Sequence, residues 1–148
     1  MGEIVGAVAV VASLVYLATQ IRTQMRESRL AASREVTANL MEGYSALQTT
    51  QMADVWARAS KDYDALTEAE KVQVLAFFQR YLRALEGAFH QASDGLLDAQ
   101  VWDGIARHIG SVMSTKAAQR IWSIRKYSYS DNFQEFVESV DRTGFETS

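Results

Sequence analysis

The sequence predicts an all-α protein: a long N-terminal helix, uncharged over its first turns, packed with a four- or five-helix bundle. Three observations predict it. The 148 residues contain no proline, where average usage would supply about seven, so nothing breaks long helices. Apolar residues recur at three- and four-residue spacings in segment after segment, and none alternates with the period of a strand. Helix-starting residues stand in front of those segments at the expected offsets. The chain has no cysteine, which excludes a disulfide scaffold, a thiolate zinc site and a cysteine nucleophile. Its net charge of −3 gives no global basis for binding nucleic acid.

The first element opens with Ile4 to Ile21, eighteen residues without a formal charge between Glu3 and Arg22. As a helix they reach ~27 Å, enough for the hydrocarbon core of a bilayer. A cleaved signal peptide would bring a positive start, a short apolar core and a small-x-small cleavage site. Here the chain begins Met1-Gly2-Glu3, and Ala18-Thr19-Gln20 runs straight into an arginine-rich segment. A buried helix of a soluble domain is the third reading, yet a domain of this size rarely needs a helix apolar on all sides. The flanks favour a membrane anchor over residues 1–22, with a helical domain over 23–148. Arg22, Arg26, Arg29 and Arg34 follow within thirteen residues and form a basic collar for the membrane surface. By the positive-inside rule they leave the short N-terminus outside and the rest in the bacterial cytoplasm, across the inner membrane.

The faces of this segment differ. At 100° per residue, Gly2, Gly6, Ala9, Ser13, Tyr16 and Gln20 fall in one stripe ~80° wide. Their alternating spacings of four and three match a left-handed heptad seam. Small residues permit close helix approach and polar ones bond across it. The stripe is therefore the expected helix–helix interface, with another copy or with subunits of a membrane complex. Ile4, Val8, Val11, Leu14 and Val15 lie opposite and suit lipid tails.

Beyond Thr23, Gly43 is the one glycine before Thr49, and Met25, Ala32, Val36, Leu40 and Leu47 return to one face. The helix should thus continue from near Gly2 to near Gln48, about 70 Å, as a stalk packed on later helices. Met52 to Ala65 holds a short docking helix with Val55 and Trp56, and Asp54 near its start. Thr67-x-x-Glu70 has the form of a capping box. After it Val72, Leu75, Phe78, Leu82, Leu85 and Phe89 mark a core face, and Gly95 suits the C-terminal cap. Asp98 caps a helix with Val101, Trp102, Ile105 and Ile109. Ser114 or Thr115 starts another through Ala117, Ile121 and Ile124, and Ser130 a last one with Phe133, Phe136, Val137 and Val140.

Three strings, EIVGAVAVVASLVYLATQIR (3–22), LEGAFHQASDGLLDAQVWDG (85–104) and SDNFQEFVE (130–138), resemble a group of uncharacterised bacterial proteins. Those strings cover about a third of the chain, and the order of elements matches over most of it. The resemblance implies an N-terminal membrane segment, a helical domain and no assigned activity, and it transfers no catalytic residue.

Signals for chemistry are sparse. Glu86, His90 and Asp94 stand at i, i+4 and i+8 and could present oxygen and imidazole ligands to a divalent metal. Ferritin-like sites need Glu-x-x-His pairs from two helices, and neither His90 nor His108 has a glutamate three positions before it. The plainer reading ties Glu86 to Arg83 or Arg107. There is no Gly-x-Ser-x-Gly elbow and no phosphate-cradling glycine loop, and the apolar segment holds no histidine as a haem ligand. Gly104 and Gly110 read as packing or cap positions. Lys116, Arg120, Arg125 and Lys126 surround Trp122, which is expected in the core with its charges solvated. The acids from Asp131 onward can pair with that basic helix. The expectation is a membrane structural protein without enzymatic activity or cofactor, its partners lipid and helices rather than nucleic acid. A membrane-anchored sensor binding a ligand or cytosolic partner is the alternative, and a metal-dependent enzyme using Glu86 and His90 is third.

Overall fold

The computed structural model describes residues 2–142. Six α-helices and no strand occur among them. α1 (Gly2–Ser45) runs 44 residues without interruption, about 66 Å at the standard rise, and passes through Gly43 before a 3-10 turn at Ala46–Gln48. α2 spans Thr50–Lys61, and α3 spans Glu68–Ser93. Then come α4 (Ala99–Met113), α5 (Lys116–Arg125) and α6 (Asp131–Ser139).

The helix boundaries follow from local chemistry. Thr67 and Glu70 form the reciprocal capping box: the Thr67 N–H donates to Glu70 Oε2 at 2.9 Å, and the Glu70 N–H to Thr67 Oγ1 at 3.4 Å. Arg58 of α2 also holds Glu70, and with Thr67 it pulls that carboxyl to about 2. α3 ends where Gly95 turns to φ +69°. There the Leu96 N–H reaches Gln91 O at 2.9 Å and the Gly95 N–H reaches Ala92 O at 3.0 Å, a Schellman closure. Asp98 accepts from the N–H groups of Gln100 and Val101 to start α4. Thr115, rather than Ser114, caps α5. α2 starts earlier than the sequence indicated, because Thr49 caps it through the Met52 N–H, while Asp54 sits in its second turn and pairs with Arg58.

α3 is the hub, packing against α1, α2, α4 and α5. Phe78, Leu82 and Leu85 of α3 are fully buried, together with Ile109 and Met113 of α4, Ile121 of α5, and Phe133 and Val137 of α6. The face of α3 is broader than a heptad stripe: Val74, Phe77, Tyr81 and Ala88 are buried while Val72 is 65% exposed. Val101 and Ile124, expected on core faces, are also exposed. Trp122 is buried against Tyr129 and Phe133 as expected, and Lys126 pairs with Glu138 at 2.8 Å. Gly110 is buried under the chain leaving α6, where a Cβ would collide with the Asp141 carbonyl. The end of the acidic tail, including Glu146, lies outside the described residues.

α1 lies antiparallel to α3. Gly43 faces Tyr81, Glu42 pairs with Arg80, and Val36 clusters with Ala88 and Leu97. This contact begins at Ala32, which is buried; Met25, expected on the same stripe, is 53% exposed. Toward the N-terminus from there, α1 is bare. Ile4, Val8, Val11, Leu14, Leu17 and Ile21 are all exposed. α1 is the one described helix long and apolar enough to cross a membrane, and none of its most apolar eighteen-residue window is buried.

Candidate functional site

The predicted interface stripe lies on this bare part of α1. Gly6, Ala9, Ser13, Tyr16 and Gln20 are exposed, and a Cβ on Gly6 would meet nothing within 4 Å; Gly2 heads the same helix. Four polar side chains on and beside the stripe donate within the helix. Ser13 Oγ donates to Ala9 O at 2.9 Å, Thr19 Oγ1 to Tyr16 O at 2.7 Å, Thr23 Oγ1 to Thr19 O at 3.0 Å, and Gln20 Nε2 to the Tyr16 hydroxyl at 3.0 Å. An unpaired donor is costly in hydrocarbon, and back-bonding of this kind removes that cost without a second helix. The stripe can therefore meet either lipid or a partner.

Below the uncharged stretch, three of the four collar arginines share one face. Arg22, Arg26 and Arg29 flank an open cleft of about 620 Å³ between α1 and the α3–α4 turn at Leu96 and Leu97. Arg34 is exposed but is not part of this cleft. None of the four makes an ion pair among the described residues, whereas Arg58, Arg80, Arg83 and Arg120 all do. Met25 and Leu30 supply apolar wall.

Glu86, His90 and Asp94 do not assemble as ligands. Glu86 is 8% exposed, and both its oxygens are engaged. Oε2 takes the Arg83 guanidinium at 2.6 Å and Oε1 the Ser130 N–H at 2.7 Å. Burial pushes the Glu86 carboxyl up, but the Ser130 N–H and Arg83 together outweigh it and hold it below the usual carboxylate range. Arg83 also donates to Ser128 O at 2.6 Å and stacks over the Tyr129 ring. His90 Nε2 meets Ser130 Oγ at 3.2 Å, so Ser130 stands at the α6 N-cap position but its side chain is drawn away from the capping bond. Asp94 closes α3 from an exposed position. No group of three or more metal-ligating side chains occurs among the described residues. The Glu86 cluster clamps α6 onto α3.

A second cluster escaped the sequence reading. Tyr44 at the end of α1 hydrogen-bonds His108 of α4, with Tyr81 of α3 packed edge-on to the same imidazole. These rings, with Trp56 and Phe77, line a cavity of about 130 Å³. The Tyr81 hydroxyl is buried with no hydrogen-bond partner in good geometry, although the Tyr44 oxygen lies close enough to influence it. Burial holds His108 below its ordinary range, which keeps it neutral and able to accept from Tyr44. Burial raises both phenols. Sequence spacing could not join residues 64 positions apart; the only signal was the apolar setting of His108, between Ile105, Ile109 and Val112.

No protein-family model, curated protein or solved structure matches the chain.

Proposed function

We propose that the chain is a single-pass protein of the bacterial inner membrane, with its N-terminus outside and α2–α6 in the cytoplasm. Its role is structural, as a self-associating scaffold or an accessory subunit docked on a larger membrane complex. One observation carries the anchor: eighteen consecutive uncharged residues sit at the start of a helix whose most apolar window packs against nothing. In water, each exposed Val, Leu or Ile forfeits ~1.5–3 kcal/mol of burial free energy, so a stretch this long calls for an apolar solvent. The internal bonds of Ser13, Thr19 and Gln20 suit that solvent. The collar arginines on the domain side support the orientation.

Alkaline carbonate washing of vesicles carrying the full chain tests the anchor. Retention in the floating fraction is expected, and release into the wash rejects it. A periplasm-active reporter fused to the C-terminus should stay silent; activity there reverses the topology. Scaffolding through the stripe predicts that Gly6→Leu with Ala9→Leu weakens association in a bilayer, and unchanged association removes the stripe from that role.

The Tyr44–Tyr81–His108 cavity supports a second reading, a membrane-anchored sensor. A cavity of about 130 Å³ is close to one that admits benzene, and the buried Tyr81 hydroxyl on its wall has only the Tyr44 oxygen near it, without a well-formed hydrogen bond. Titration with phenol, followed by the ring signals of Tyr81 and His108, tests it. Shifts that saturate support the sensor, and an unresponsive spectrum rejects it.

A further inference from the structure

We propose that the cleft between α1 and the α3–α4 turn binds the headgroup of one acidic phospholipid, its phosphate held by Arg22, Arg26 and Arg29 against Met25, Leu30 and Leu96, and its acyl chains running back along α1 toward Ile21. This rests on the membrane reading above and names a partner for the collar.

The three arginines stand at i, i+4 and i+7, so one helical face carries them all. That face is the one turned toward the domain, since Ser33 at i+11 and the α3–α4 turn line the same cleft. Glu27, the acid among them in sequence, falls ~130° from the mean of that face. No ion pair neutralises any of the three. Asp98 is the acid lining the cleft, and its Oδ1 is occupied by the Gln100 and Val101 N–H groups. Guanidinium groups bind phosphate oxygens bidentately, which a neutral zwitterionic headgroup offsets with its own cation. Depth agrees with this chemistry. Arg22 to Arg29 cover ~10 Å of helix directly after the uncharged run, and the polar layer on each side of a bilayer is ~5–8 Å thick. The cleft thus opens where headgroups are.

Native mass spectrometry of the detergent-solubilised full chain, offered equal phosphatidylglycerol and phosphatidylcholine with the same acyl chains, tests the site. One retained phosphatidylglycerol per chain, preferred over phosphatidylcholine by ~10-fold or more, is expected from three unscreened arginines. In the Arg22→Gln/Arg26→Gln/Arg29→Gln variant the preference should fall to within ~2-fold of parity, with helicity unchanged because all three side chains are exposed. Equal binding of the two lipids by the native chain overturns the proposal, as does a variant that keeps the preference. Displacement of the lipid by millimolar inorganic phosphate alone would mark a free-anion site and overturn it too. Carbonate retention of the native chain in phosphatidylcholine vesicles separates the two ideas. A native chain retained there but without preference for phosphatidylglycerol leaves the anchor standing and rejects the cleft, while its release rejects the anchor.

Discussion

Ile4, Val11, Leu17 and Leu30 on the first part of α1 are all exposed, whereas Ala32, Val36 and Gly43 on the last part are buried against α3. One unbroken helix thus carries two unrelated designs. The first part carries no formal charge on any side from Ile4 to Ile21, and Ser13, Thr19 and Gln20 donate back into the same helix. The last part is amphipathic, with Met41 exposed on the far side of the face that Val36 buries. The difference teaches that a helix which is hydrophobic all round and one with a stripe meet different solvents, even when the backbone never breaks.

The sharpest break of this comparison is a lysine placed in each part. Val36→Lys should cost ~3–5 kcal/mol of domain stability by burying an uncompensated charge, read as a lowered melting temperature with carbonate retention unchanged. Val11→Lys should do the converse, costing ~2.5–3.5 kcal/mol of insertion and reducing retention while the domain melts as before. Equal effects of the two on either readout would erase the distinction.

Glu86→Ala serves as a control away from α1. Losing the acceptor for Arg83 and the Ser130 N–H should cost ~1–3 kcal/mol and speed amide exchange in α6, with exchange in α1 unaltered. Gly43→Ala sharpens the packed part from the other direction. The new Cβ would sit 3.7 Å from Tyr81 Cδ2, an ordinary contact, so the helix-propensity gain of ~0.5–1 kcal/mol should appear as stabilisation. A loss there would mean that α1 and α3 approach more closely than this.

The gentlest test is pH. His108 is held below its ordinary value when folded, so the unfolded chain takes up a proton first as pH falls. Stability should therefore decline as pH drops below about 6.5. His108→Phe should flatten that part of the stability profile measured by urea melts. Glu86, held below its usual range by Ser130 and Arg83 against burial, contributes stability above about 4.5 that is lost on further acidification.

Much of the fold was legible because its boundaries are written locally. Thr67 with Glu70, Gly95, Asp98 and Thr115 each act within a few residues of where they stand. Helix faces were less legible. The buried positions of α3 from Val74 to Ala88 cover about half the circumference, because helices pack on it from several sides, and a single heptad stripe misplaces Val72. The candidate sites divide the same way. The uncharged run and its arginines could be read from order alone, while the cleft needed the α3–α4 turn brought beside Arg22 and Arg29. Glu86 with Ser130, and Tyr44 with His108, join distant parts of the chain; no periodicity reports such contacts.

Because α1 is continuous through Arg22 and Gly43, rotation of its exposed part, in the bilayer proposed for it, and rotation of the domain are one motion. On a regular helix the Gly6–Gln20 stripe and the Ala32–Gly43 face point in directions about 160° apart. Two copies joined along the stripe would therefore carry α2–α6 on their outer flanks, with no domain wedged between the stalks. Their arginine clefts, on the domain side, would open away from the joint toward surrounding lipid. A spin-label pair on Ser13 would then report a short distance and one on Val101 a long one, and the gap between them measures how faithfully the helix transmits its own angle.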